Sequence, residues 1–169
     1  RYAESHWNLV RAGIALYGVH PFVAPEGATL RPIMRWKSHL VRVQAIPAGC
    51  GIGYGHTFTT QRPSRIGTIP VGYADGLTRS LSNRGSVLVQ GQRVPVVGHV
   101  CMDMCMVDVT DVPAAQVRDE VVLLGTQGVA QVTAEELAAW SGRIPYEVFC
   151  AISHRVPRCY IGMEETLCP

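Results

Sequence analysis

Apolar positions in this chain come in short runs broken by glycine and proline, not in long helical stripes. Met34–Gln44 alternates roughly between apolar and polar residues and reads as a long half-buried strand, turned by Pro47-Ala48-Gly49. Further short strands are expected at Arg65–Val71, Ser86–Gln90, Arg93–Val97, Val100–Val109 and Glu120–Leu124. Gly91-Gln92 suits a two-residue hairpin loop with Gly first, and Gly98, Gly125 and Gly128 mark other turns. Thr133-Ala134-Glu135-Glu136 is a capping box, which predicts a helix from just after Thr133 to about Trp140, ended by Ser141-Gly142. Pro145–Ile152 reads as a second short helix, and Arg158–Ile161 as a returning strand. Ahead of these elements, Trp7–Gly18 reads as a strand end, a glycine break and an apolar segment closed by Gly18. Residues 21–31, with Pro21, Pro25 and Gly27, read as a linker. The expected fold is mainly β: a compact barrel-like domain with two short helices.

Composition narrows the function classes. Of 169 residues, 47% are hydrophobic and 17% charged, so the chain is globular, with room for one good-sized core. A net charge of +2 without a basic run argues against nucleic acid as a partner. No apolar stretch reaches the length of a membrane span and no signal peptide opens the sequence. The six cysteines form no CxxC pair and read as reduced thiols, which points to the cytoplasm. His20, His39, His56 and His99 lack metal-ligand spacing, so no metal is expected. Arg1–Asn8 reads like the middle of an element, and the chain is expected to be part of a longer protein.

The candidate chemistry centres on Gly49–Gly76. Tyr54 stands between Gly53 and Gly55, where the backbone leaves room for a ligand. Tyr73, in Gly72-Tyr73-Ala74-Asp75-Gly76, follows an apolar strand and borders whatever cleft that loop lines. Each could be no more than a turn aromatic over a core edge. A phenol acts as a base near neutral pH only where positive charge lies close. Asp103 sits inside an apolar run, on the face opposite Met102 and Met104 if that run is a strand. Tyr146-Glu147 opens a short helix whose amides could hold a phosphate. Arg11 interrupts an apolar run beside Gly13, as an exposed loop residue or one aimed at an anion or ring. The His154–Arg158 segment reads as a solvated turn with surface ion pairs.

Five segments occur in the order seen in bacterial alanine racemases, and the chain resembles the C-terminal part of that family. They are VRAGIALYG, GYGHTFT, IGTIPVGYADG, PVVGHVCMDMCMVDVT and YEVFCAISHRVPR, and they cover nearly the whole chain. The resemblance implies an N-terminal (β/α)8 barrel that holds pyridoxal 5'-phosphate, followed by a mostly β domain. Residues 1–20 would be the end of that barrel, 21–31 the linker and 32–169 the β domain. The implied reaction is interconversion of L- and D-alanine, supplying D-alanine for peptidoglycan or serving alanine catabolism. The family's cofactor-binding lysine matches nothing here, because Lys37 is the only lysine and lies outside every matching segment. The chain alone is therefore expected to be inactive.

By the same resemblance, Arg11 bonds the pyridine nitrogen, Gly13 and Ile14 offer backbone amides to the phosphate, and Tyr146 adds a phosphate-binding phenol. An arginine keeps its proton, so the ring nitrogen would stay unprotonated, which favours plain proton exchange over side reactions. Tyr54 is the catalytic base on one face of the substrate Cα, opposite the missing lysine. Tyr73, Met102 and Asp103 line the substrate and its entry channel, Met102 through its backbone amide. The β domain of one subunit is expected to complete the site of the other in a homodimer. His99 departs from the arginine common on the entry path, and the retained Tyr146 favours alanine over serine. A broad-specificity serine/alanine racemase and a non-catalytic β binding domain remain the alternatives.

Overall fold

The computed structural model describes residues 7–22 and 29–161. It forms two compact units, Arg1–Met34 and Arg35–Pro169. In the first, Gly13–Tyr17 makes a five-residue 3-10 turn capped by Gly18 in the left-handed conformation. Residues 7–12 form no strand, contrary to the expected strand end. Part of the expected linker, 23–28, lies outside the described residues.

The second unit is built on ten strands. They are β1 (Trp36–His39), β2 (Arg42–Ile46), β3 (Gly51–Ile52), β4 (Phe58–Thr59), β5 (Ser64–Ile69), β6 (Ser86–Val89), β7 (Gln92–Val97), β8 (Cys105–Asp108), β9 (Glu120–Gln127) and β10 (Ala130–Val132). Eight form one antiparallel sheet in the order β1-β9-β6-β7-β8-β5-β2, with β10 added to β9, and β3 pairs with β4 separately. The path begins and ends on strands consecutive in the chain. Leu40 bonds Arg118 and Asp119 on the β9 side, whereas Val41 donates to Thr68 on the β5 side. The run Trp36–Ile46 is therefore one chain segment crossing from one edge of the sheet to the other, which rolls the sheet into a barrel-like body. This is why the single long strand expected over Met34–Gln44 is broken at Leu40-Val41. Leu40 is fully buried at the bend, as are Val121, Val122 and Leu123 of β9. The fold is the mainly β domain with two helices that the residue pattern predicts.

Several local expectations need correction. The β6–β7 loop is Gln90-Gly91, not Gly91-Gln92. Val89 pairs with Gln92, and Gln90 and Gly91 both have positive φ (49° and 75°), the mirror-image turn that matches strand twist. β9 runs on to Gln127 and turns back as β10. Only Cys105–Asp108 of the expected strand Val100–Val109 is a strand, because Cys101 donates to Met104 and closes the preceding residues into a loop. Arg158–Ile161 is no strand, since the Arg158 guanidinium gathers the carbonyls of Ile152 and Ser153 and curls the segment. Cys50, Cys101, Cys105 and Cys150 are free thiols, but Cys159 is disulfide-bonded, so the cysteines are not all reduced.

Two helices close the unit, α1 (Ala134–Ser141) and α2 (Pro145–Ala151). The capping box at α1 is complete. Glu136 N donates to Thr133 Oγ1 at 3.2 Å, and Thr133 N donates to the Glu136 carboxylate at 2.9 Å. Arg93 on β7 also pairs with Glu136 at 2.7 Å, tying the helix start to the sheet. Partial burial works to raise the Glu136 pKa, but the Arg93 hydrogen bond, the Thr133 amide and the Arg93 charge outweigh it and hold it below the usual glutamate value. A depressed folded-state pKa contributes stability that is present above the unfolded value, about 4.3, and lost as pH falls through the folded one. Glu136→Gln is expected to lower stability at pH 7 and to flatten its loss on acidification below about pH 5. Urea denaturation across that range measures both slopes, and parallel acid limbs in the two proteins would rule out this role.

Candidate active site

Three loops meet on one end of the β unit, and they carry Tyr54, Tyr73, Met102 and Asp103 of the expected site residues. The first is the tip of the β3–β4 hairpin, residues 53–57. Its base is fixed by Thr60, which is 1% exposed, donates to Pro47 O at 2.7 Å and accepts from Cys50 N at 3.0 Å. Its inner face is anchored by Ile52, buried with Ile66 and Val97, while Phe58, Ile46 and Met106 pack against that cluster. Burial of a side chain such as Ile52 is worth roughly 1.5–3 kcal/mol, enough to seat a two-residue ladder that could not stand alone. At the tip, Tyr54 is 78% exposed. Gly53 has φ +70° and ψ −170°, a backbone conformation that only glycine adopts readily, so glycine is required for the turn that presents Tyr54.

The second loop, Gly72–Gly76, follows β5 and carries Tyr73. The third, Gly98–Met104, follows β7 and carries Met102 and Asp103. The second and third are joined through backbone. Tyr73 N donates to Cys101 O at 2.9 Å and Ala74 N to Met102 O at 3.0 Å. A Cβ on Gly72 would lie 2.2 Å from Cys101 O, so only glycine lets the two chains approach. The first loop abuts the third as well, since a Cβ on Gly98 would meet Ile52 O at 2.7 Å. Tyr54, Tyr73 (45%) and Met102 (53%) thus stand exposed on adjoining loops.

A charged cluster holds the second and third loops in register. Asp75 is 8% exposed and accepts from Gly72 N at 2.9 Å. Its other oxygen faces Arg155 Nε at 3.3 Å, and the same guanidinium bonds Asp103 at 2.7 Å. The Asp103 hydrogen bond first, and then the Asp75 charge, raise the Arg155 pKa. Asp103 is therefore not on a strand face opposite Met102 and Met104; all three are exposed on the loop, and its carboxylate is engaged by Arg155. Asp75 is not among the residues expected from the sequence to form the site, and Arg155 is expected only as part of a solvated turn. The signal available was the Asp three residues after Gly72 in a glycine-rich turn. Arg155 does make ion pairs as expected of a turn, but with the loops that carry Tyr73 and Met102.

Tyr146 lies in the first turn of α2, 47% exposed. The far end of this helix is fastened to the second loop, with Ser153 N donating to Asp75 O at 3.0 Å. The start of α2 offers fewer free amides than a helix start without proline would. Pro145 has none to give, and the Glu147 carboxylate takes Ile144 N at 3.0 Å. Tyr146 brings a half-exposed phenol to this position. Burial pushes the Cys105 thiol on β8 up to about 12, with the nearby Cys101 adding to the shift, so it stays protonated and is no nucleophile at neutral pH. Lys37 is occupied too, paired with Glu120 at 3.0 Å. Among the described residues no group of three or more His, Cys, Asp or Glu is placed to hold a metal ion, and no helix is long and apolar enough to cross a membrane.

Arg11, Gly13 and Ile14 belong to the first unit. Arg11 is exposed, and Gly13 has φ +58° with nothing within 4 Å of the position a Cβ would take. Hydrogen bonding within the 3-10 turn starts with Ala15 N donating to Ala12 O, so the Gly13 and Ile14 amides precede it and point out of the turn.

The family model for the C-terminal domain of alanine racemase matches residues 33–160. The chain is 51% identical over 159 residues to an alanine racemase of Desulfovibrio desulfuricans, covering 94% of this chain and 42% of that protein. Among solved structures it resembles alanine racemase from D-cycloserine-producing Streptomyces lavendulae, with a TM-score of 0.85 and 41% identity over 94% of this chain and 42% of the other. The alanine racemase of Bartonella henselae, solved with covalently bound pyridoxal phosphate, matches with a TM-score of 0.81 and 37% identity, over 88% of this chain and 40% of that one. The chain spans about two fifths of the length of the relatives it matches. It belongs to the alanine racemase family and carries that family's C-terminal domain.

Proposed function

We propose that this chain is the C-terminal part of an enzyme that interconverts L- and D-alanine with pyridoxal 5'-phosphate, acting in the cytoplasm as a homodimer. The observation that carries the reading is the convergence of Tyr54, Tyr73 and the Met102 loop on one exposed patch, held by Asp75 and Arg155. Residues 1–20 are read as the end of a (β/α)8 barrel, 21–31 as the linker and 32–169 as the β domain.

The residues present fit the cofactor. Arg11 is an exposed guanidinium with no partner among the described residues, and it suits a ring nitrogen as a permanent donor. Backbone amides of Gly13 and Ile14 are read as donors to the phosphate, Gly13 having nothing within 4 Å of the position a Cβ would take. Tyr146, 47% exposed, is read as a phosphate-binding phenol. When bound, the cofactor withdraws electrons from the substrate Cα and so acidifies its hydrogen. Tyr54 takes or returns that proton on one face. Inversion also needs a base on the opposite face, a role for a lysine supplied outside this chain. The Met102 amide binds the substrate carboxylate. Tyr73 and Asp103 border the entry to the site, with Asp103 fixed by Arg155. These β-domain residues would serve the site of the partner subunit, and Arg11 and Tyr146 their own. D-alanine made in this way would feed peptidoglycan, or the reverse reaction alanine catabolism.

The direct test is D-alanine formation from L-alanine with added pyridoxal phosphate, with the chain alone beside a version extended upstream. Activity in the extended protein only is expected; activity in neither would favour a non-catalytic β domain. In the extended protein, Tyr54→Phe is expected to lower racemisation in both directions by at least about 10²-fold while the cofactor absorbance is kept. Wild-type rates in that variant would remove Tyr54 from the mechanism. Arg11→Glu is expected to change the absorbance during turnover and to raise transamination to pyruvate, because a carboxylate lets the ring nitrogen keep a proton. An unchanged spectrum and product ratio would count against the assignment of Arg11.

A further inference from the structure

Two residues outside the expected site join the loop that carries Tyr54 to the loop that carries Met102. Ser82 and Asn83 follow the 3-10 turn Arg79–Leu81, whose Leu81 is 3% exposed and anchors the turn in the core. Arg84 N and Gly85 N both donate to Leu81 O, which closes the segment around that anchor. Asn83 has φ +57°, a left-handed conformation that Asn tolerates better than most side chains. This conformation turns its amide toward both loops at once. Nδ2 donates to Thr57 O at 3.3 Å and lies 3.2 Å from Thr57 Oγ1, at the end of the Tyr54 tip. Oδ1 accepts from Gly98 N at 2.6 Å, at the start of the Met102 loop. Beside it, Ser82 Oγ accepts from Val100 N at 3.0 Å. The tip has few other ties of this kind: its ladder is two residue pairs long, Gly51–Thr59 and Ile52–Phe58, and everything beyond Ile52 is turn.

We propose that Asn83, with Ser82, is a positioning residue that sets the Tyr54 phenol relative to the Met102 amide, and through them relative to the substrate Cα and carboxylate. The inference rests on the proposed racemase reading. It assigns the spacing of the base and the carboxylate site to one side-chain amide that touches neither substrate nor cofactor. A misplacement of about 1 Å in such a pair costs on the order of 10²-fold in rate. Substitutions divide the clamp. Asn83→Ala frees both loops. Asn83→Asp keeps an acceptor for Gly98 N and loses both donors to Thr57, so it frees only the Tyr54 tip.

The test uses the upstream-extended protein and three measurements: steady-state rates, exchange of the substrate α-hydrogen with deuterated solvent for each enantiomer separately, and amide hydrogen exchange at Gly98. In Asn83→Ala, kcat is expected to fall about 10- to 100-fold in both directions with the melting temperature nearly kept, and Gly98 is expected to exchange faster. In both variants α-hydrogen exchange should slow more for one enantiomer than for the other, because only the base on the Tyr54 face is displaced. A general structural defect would slow both enantiomers alike. Asn83→Asp should show that asymmetry with Gly98 still protected. Rates within twofold of wild type in both variants, or equal slowing of the two enantiomers, would overturn the proposal. So would loss of the folded state in both variants, which would make the role of Asn83 purely structural. An extended wild-type protein that does not racemise alanine would refute the proposed function instead. In that case an unchanged Gly98 exchange rate in Asn83→Ala would still refute the clamp.

Discussion

The arrangement of the site depends on one buried carboxylate. Asp75 is 8% exposed and is flanked by Gly72 N on one oxygen and Arg155 on the other. A carboxylate taken out of water without partners costs several kcal/mol, so its position and those of its partners are set together. What it fixes is more than its own loop. Its backbone carbonyl takes Ser153 N at the end of α2, and its guanidinium partner reaches Asp103 on the neighbouring loop. One charge therefore holds Tyr73, the Met102 loop and the end of α2 in a single arrangement. Replacing Asp75 by a neutral residue would leave Arg155 with the exposed Asp103 alone, and an exposed pair of that kind holds little, about 1 kcal/mol or less.

Tyr54 is held on different terms. Its hairpin has a two-pair ladder and gains its place from Ile52 and Phe58 on the Ile66–Val97 cluster, from Thr60 at its base and from Asn83 at its tip. The phenol itself is open to solvent. A side chain that must meet a substrate cannot be buried in its own domain, so its geometry has to come from the backbone beneath it. The glycines on both sides of Tyr54 serve that end, because both take the positive φ, 70° and 68°, that the turn needs.

How much of this could be read from the residues varies with the range of the interaction. The α1 capping box and the Pro145 start of α2 depend on residues within four positions of each other, and both were legible. The strands β5, β6 and β7 fall within two residues of where Val and Ile place them, whereas β9 runs three residues further. The errors fall where a long-range contact decides. Val100–Met104 is apolar enough to be a strand, yet its carbonyls are taken by Tyr73 and Ala74 from 28 positions away, and that pairing makes it a loop. Met34–Gln44 alternates as one strand, but its two halves pair with β9 and β5 at opposite edges of the sheet. At the site, the glycines around Tyr54 and Tyr73 carried a local signal. Ser82 and Asn83 did not, and the ion pairs expected of Arg155 did not point to Asp75, since a polar residue in a turn looks the same whether it faces water or clamps a neighbouring loop.

The same geometry bears on why a β domain of this kind would work only as part of a larger protein. Inverting a carbon centre by proton exchange needs one base on each of two opposite faces. The converged loops present Tyr54, Tyr73 and Met102 from one end of one rigid unit, so they can approach a substrate from one side only. The single amine in the chain is no substitute for the second base, because Lys37 lies on β1 and is paired with Glu120, which Arg35 also contacts at 3.0 Å. Releasing it would break a two-cation contact on a carboxylate held below its usual pKa by Lys37 first of all. A second base must then come from a different rigid body. In the proposed enzyme the domain's task reduces to offering one phenol, and a carboxylate site beside it, at a fixed spacing.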